Sequence, residues 1–128
     1  MICTKCKRDL PLDGFPFRNK TKGTYRRECK ECNRQLQKEI YDRNNLILEQ
    51  WKSAGCAKCG ESRPWVIDAH HVDPSVKEGT ISRLRVNCST EKLEAELAKC
   101  IPFCANCHRE YHWLVDEQGI TLEDFMGM

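Results

Sequence analysis

Nine residues, Cys104-Ala105-Asn106-Cys107-His108-Arg109-Glu110-Tyr111-His112, combine a CxxC knuckle with two histidines four apart. Upstream stand a second knuckle, Cys56-Ala57-Lys58-Cys59, and the adjacent pair His70-His71. Those two with His108 and His112 are all four histidines of the chain. Paired thiolates on a tight turn suit zinc, and two such knuckles close a tetrahedron with no open position. Cys56, Cys59, Cys104 and Cys107 are therefore expected to share one structural zinc across 44 intervening residues. Imidazoles at i and i+4 of a helix point the same way, so His108 and His112 form half of a site for a divalent ion. A third ligand must come from elsewhere, and His70 or Asp68 is placed to supply it. A purely local set of Cys104, Cys107, His108 and His112 would strand Cys56 and Cys59.

A further set, Cys3, Cys6, Cys29 and Cys32, has 22 residues between its knuckles and reads as another structural zinc. Two structural Zn²⁺ are thus expected from eight of the ten cysteines. Cys88 and Cys100 lie outside any pair and read as small buried apolar residues.

The elements that must position these groups follow from pattern. Residues 1–32 form a four-cysteine zinc module with Leu10, Leu12, Phe15 and Phe17 as a minimal apolar plug. A polar turn at Asn19–Thr24 marks a hairpin tip. Residues 33–55 read as a linker helix, free of proline and glycine until Gly55, with Leu36, Ile40, Ile47 and Trp51 as its apolar stripe. Trp65–Ala69 reads as a strand delivering His70 and His71; adjacent strand residues face opposite ways, so the two should take different roles. Residues 76–89 read as a connection anchored by Ile81, Leu84 and Val86. Ser89 caps a helix over Lys92–Lys99, Cys100–Phe103 is a second strand, and Ala105 to about Val115 is a helix. Residues 116–128 form an acidic tail with one turn around Leu122 and Phe125.

Composition bounds the rest. With 31% charged residues and a mean hydropathy of −0.66, there is little apolar material for a large core, and metal staples are expected to compensate. No apolar run reaches membrane-spanning length, no secretory signal opens the chain, and CxxC pairs point to zinc in a reducing cytosol. The net charge of +2 hides an asymmetry: residues 1–55 carry 13 Lys+Arg against 7 Asp+Glu, and residues 56–128 carry 8 against 12. The cluster Lys20, Lys22, Arg26, Arg27, Lys30 and Arg34, with Phe17 and Tyr25, is a candidate nucleic-acid backbone contact; a solvated face is the plainer alternative.

The string Cys56-x-x-Cys59, Asp68-Ala69-His70-His71-Val72-Asp73-Pro74 and Cys104-x-x-Cys107-His108 resembles an HNH endonuclease of the ββα-metal class. The version it resembles carries a four-cysteine zinc beneath its active site and occurs in bacteria and phages. The resemblance covers residues 56–115; the N-terminal double knuckle and basic helix resemble a module found ahead of such nucleases. It implies an α+β fold, a small zinc-stapled ββα domain preceded by a zinc module and a linker helix. It also implies cleavage of DNA, double-stranded by expectation, to 5′-phosphate ends in the cytosol of a bacterium or phage-infected host. His71 would be the general base. His70, His108 and His112 would hold one catalytic divalent ion, Mg²⁺, Mn²⁺, Ni²⁺ or Zn²⁺, and Asp68 would orient a ligand histidine. Where the family has an asparagine bracing the loop behind the base, this chain has Lys99, so another group must brace it or activity is weakened. No element reads as a major-groove recognition helix, so sequence specificity is expected to be low or to be supplied by a homodimer or a protein partner. Two rival classes are a non-catalytic zinc-dependent nucleic-acid binder with a degenerate site, and a zinc-stapled protein-interaction adaptor.

Overall fold

CxxC turns dictate the start of the chain. In the computed structural model, which describes residues 1–128, the Cys3–Cys6 turn is closed by Lys7 N–H donating to Cys3 O at 2.9 Å. Lys7 adopts a left-handed φ of 65°, whereas the matching place after Cys59 is Gly60 at φ 79°. A lysine there carries a Cβ cost that glycine avoids. Strand β1 (Phe17–Asn19) pairs antiparallel with β2 (Thr24–Tyr25), and the ring of Phe17 stacks on Tyr25 at 4.8 Å. Helix α1 (Lys30–Lys52) begins directly after Cys29. Cys3, Phe15 and Cys29 are fully buried, with Leu10 and Tyr25 packed against them. So small an apolar cluster cannot stabilise a unit of this size alone, which is why the four thiols matter.

The chain divides into two units, Met1–Asp42 and Arg43–Met128. In the second, β3 (Ile67–His71) pairs antiparallel with β4 (Cys100–Cys104), Ile67 opposite Cys104 and His71 opposite Cys100. A single-turn helix at Pro64–Val66 precedes β3, so the strand starts two residues later than the pattern suggests and includes both histidines. Three further helices are α2 (Ile81–Asn87), α3 (Thr90–Leu97) and α4 (Ala105–Tyr111). From His112 to Glu117 the chain winds as a π-helical turn, and α5 (Leu122–Met126) closes the fold. The molecule is thus a small α+β protein with five α-helices and two small antiparallel sheets.

Two apolar clusters support the second unit. Ile67, Phe103 and Tyr111 form one with the knuckle cysteines, and Phe125 from the tail is 0% exposed within it. Phe125 meets Phe103 and Tyr111 edge to face at 5.7 Å each. The other joins Leu48 of α1 to Ile81, Cys88, Leu93 and Leu97. Cys88 and Cys100 lie in or against this cluster, as their isolation in the sequence suggests.

Two elements differ from the sequence pattern. Residues 76–89 contain α2, capped by Thr80 Oγ1 accepting from Arg83 N–H at 3.3 Å; only Ile81 is buried, so its periodicity is too brief to register. On α1 the buried positions are Asn44 and Leu48, while Leu36 is exposed. Asn44 is buried for its hydrogen bonds: its Nδ2 donates to Arg85 O and Cys88 O, both at 3.0 Å. These carbonyls flank the end of α2, and Cys88 O also accepts from Arg43 Nη2 at 3.0 Å.

Candidate metal centres and the histidine cluster

The two four-cysteine sets come together as sets. Within each, Cys3-Cys6-Cys29-Cys32 and Cys56-Cys59-Cys104-Cys107, all sulfurs lie within 4.8 Å of one another. A tetrahedron with zinc–sulfur bonds of about 2.3 Å has edges of about 3.8 Å. The Cys6–Cys29 sulfurs are 3.9 Å apart and the Cys59–Cys104 sulfurs 3.6 Å. Backbone N–H groups, chiefly that of Cys6, hold the Cys3 thiol down at about 6. Burial pushes the Cys56 thiol up, but N–H groups of Cys59, Cys104 and Lys58 outweigh it and leave it at about 6. Both sets fit structural zinc. Gly55 lets the second knuckle form: at φ +84° it sits where a Cβ would lie 2.9 Å from Glu61 O, the acceptor of Cys56 N–H.

The histidines separate from the cysteines. His70, His108 and His112 gather their ligating nitrogens within 4.8 Å, and Cys104 and Cys107 belong to the zinc set instead. His70 comes from β3, His108 from α4 and His112 from the start of the π-helical turn. His108 Nε2 lies 3.2 Å from both His70 Nδ1 and His112 Nε2. The outer nitrogens of two rings face carboxylates: His108 Nδ1 donates to Asp68 Oδ2 at 3.1 Å, and His112 Nδ1 to Asp116 Oδ2 at 2.6 Å. With Nδ1 protonated, each Nε2 presents a lone pair, and two lone pairs 3.2 Å apart repel unless a cation lies between them. Nitrogens ligating one ion at about 2.1 Å stand about 3.0–3.4 Å apart, so the donor set fits a divalent ion.

His70 is buried against Tyr111, ring centres 4.1 Å apart, and its Nε2 has no hydrogen-bond partner. Burial first, then the neighbouring His108 and His112, pushes its imidazole down to about 4. A neutral ring is the form that ligates.

His71 points away from that cluster. Its Nε2 lies 2.8 Å from Glu96 Oε1 on α3, and Glu96 is 1% exposed. Burial would raise the Glu96 carboxyl, but hydrogen bonds from Lys99, His71 and Glu78 N–H together hold it below its ordinary value. The group is thus an ionised acceptor, and His71 Nε2 donates to it. Lys99 Nζ donates to Glu96 Oε2 at 3.0 Å and to Val76 O at 2.9 Å, and Lys99 O accepts from Val72 N–H at 3.1 Å. Glu78 N–H reaches Glu96 Oε1 at 3.1 Å. Lys99 and Glu96 therefore tie down the loop after His71 at residues 72, 76 and 78. Asp68, His71 and His108 line one hollow of about 280 Å³.

The basic residues of the first unit lie on several elements. Arg26 and Arg27 line a hollow of about 440 Å³ with Arg18, while Arg34 lines another with Arg8 and Lys38. Lys20 and Lys22 belong to the β1–β2 turn, and Lys30 opens α1. Sequence reasoning missed Glu96, Asp116 and Arg18. Asp116 had a signal, four residues beyond His112. Glu96 had none, because α3 carries three glutamates and only packing selects which is buried.

No family model, curated protein or solved structure matches the chain. No helix is long and apolar enough to cross a membrane.

Proposed function

We propose that this chain is a metal-dependent endonuclease of the HNH, ββα-metal type that hydrolyses phosphodiester bonds in DNA. One observation carries the reading: adjacent histidines of one strand serve two different centres. His70 joins His108 and His112, while His71 pairs with Glu96, and Asp68, His71 and His108 share one hollow. A structural zinc protein needs the eight knuckle cysteines but has no use for this second arrangement. β3, β4 and α4 supply the two strands and the helix of such a site, above the Cys56-Cys59-Cys104-Cys107 set.

The residues divide the work. His70, His108 and His112 would hold the divalent ion, whose charge would stabilise the negative charge that develops on the phosphate and the leaving 3′ oxygen. Asp68 and Asp116 fix the tautomers of His108 and His112, keeping each Nε2 unprotonated. Glu96 occupies His71 Nε2, which leaves His71 Nδ1 to take the proton from the attacking water. Lys99, at the family's asparagine position, braces the loop behind His71 through Val72 and Val76.

The departure at Lys99 favours one other reading, a zinc-dependent nucleic-acid binder with a degenerate site. Incubation of supercoiled plasmid with the full chain, with and without Mg²⁺, Mn²⁺ or Ni²⁺, separates the two. Metal-dependent nicking or linearisation is expected; binding with no cutting under any ion would select the binder.

A further inference from the structure

The hollow beside His71 and His108 does not end there. Besides Asp68 it is lined by Lys52, Lys77 and Arg85, the last from α2. A second hollow, of about 300 Å³, shares Leu48, Lys52 and Arg85 with the first and is also lined by Trp65. The two hollows adjoin at these three shared residues and together make a cleft in the second unit. Trp65 is 77% exposed, the most exposed of the large apolar side chains. It stands in the single turn before β3, five residues ahead of His70, and nothing in the apolar core requires it. Residues 56–128 are net acidic, yet Lys77 and Arg85 of that stretch meet Lys52 along this one cleft. Lys52 is partly desolvated and within electrostatic range of both Asp68 and Arg85. Glu49 lies at the Trp65 end, so the positive charge is concentrated toward the histidines.

Cations lining a cleft match a phosphodiester backbone, and a solvent-exposed indole beside them offers a surface on which an unstacked base can stack. A base within an intact duplex offers no such face. We propose that the cleft binds a single nucleic-acid strand next to the scissile bond. An unpaired base stacks on Trp65 and the adjoining phosphates lie against Lys52, Arg85 and Lys77. Its placement beside a scissile bond rests on the nuclease reading, whereas strand binding in the cleft does not. The substrate class it selects is DNA with an unpaired nucleotide, such as a tail, flap or junction, over blunt duplex.

The test is fluorescence anisotropy of the full zinc-loaded chain, without added divalent ion, on two labelled oligonucleotides: a duplex with a thymidine tail and the same duplex blunt-ended. The tailed duplex should bind roughly tenfold tighter. Trp65→Ala should erase that difference and Trp65→Phe should retain most of it. The double variant Lys52→Gln/Lys77→Gln should weaken binding of both and reduce the salt slope by roughly 1.5. Equal binding of the two oligonucleotides, no binding of either, or an unaltered preference in Trp65→Ala would overturn the proposal. Cleavage with added divalent ion is scored separately. Cutting without tail preference sinks the cleft and leaves the nuclease, whereas tail preference without cutting does the reverse.

Discussion

His71 and Glu96 show how little of a site's chemistry resides in a motif. Adjacent histidines on a strand must diverge, and that much follows from the sequence. What His71 meets on its own side does not: its partner lies 25 residues away on a helix whose three glutamates look alike in the sequence. The pairing makes three predictions. Glu96→Gln removes the ionised acceptor shared by His71 and Lys99, so plasmid cleavage should fall roughly tenfold or more while the metal content stays the same. Denaturant unfolding should show a loss of about 1–3 kcal/mol. The pH dependence has a definite sign, set by a carboxyl facing His71, Lys99 and the Glu78 amide. Its folded value lies below the ordinary 4.5, so its contribution is complete above about 4.5 and is lost as pH falls through the depressed value. Glu96→Gln should therefore narrow its stability deficit as the medium is acidified, seen in unfolding midpoints between neutral pH and the acid limb. A deficit independent of pH would mean the side chain matters by shape alone.

Elements were legible in proportion to their length and caps. The long α1 and the Ser89-capped α3 follow from periodicity and capping. The seven-residue α2 escapes periodicity despite its Thr80 cap, because it buries one apolar side chain and depends on a partner element for the rest. That partner is Asn44, a polar residue on the face of α1 where a stripe would place an apolar one. Its amide holds Arg85 O and Cys88 O, so Asn44→Leu should destabilise the second unit by about 1–3 kcal/mol despite its greater hydrophobicity. Thermal unfolding would reveal this, and a stabilised variant would show that Arg43, which also donates to Cys88 O, suffices without the Asn44 amide. The knuckles offer a smaller check. Lys7 occupies a left-handed position that Gly60 fills in the equivalent turn, so Lys7→Gly should be neutral or stabilise by up to about 1 kcal/mol.

At the scale of the whole molecule, the cysteine spacing proposes two sets and the structure assembles the same two, while the histidines collect into a third. Spacing was informative because a CxxC turn is local and its geometry is rigid. The place of the tail was not legible: Phe125 packs edge to face against both Phe103 and Tyr111, a contact no local pattern encodes. Elemental analysis after dialysis should find two tightly held zinc ions per chain; fewer would break the scheme of paired four-cysteine sites. The central claim is that His71 activates water beside a divalent ion held by His70, His108 and His112. The most direct measurement is plasmid cleavage with Mn²⁺ by the unaltered chain and by His71→Ala, each with its zinc content and circular dichroism recorded. The account predicts metal-dependent cutting that disappears in His71→Ala while zinc content and fold are preserved. Cutting that persists undiminished in the folded variant would contradict it.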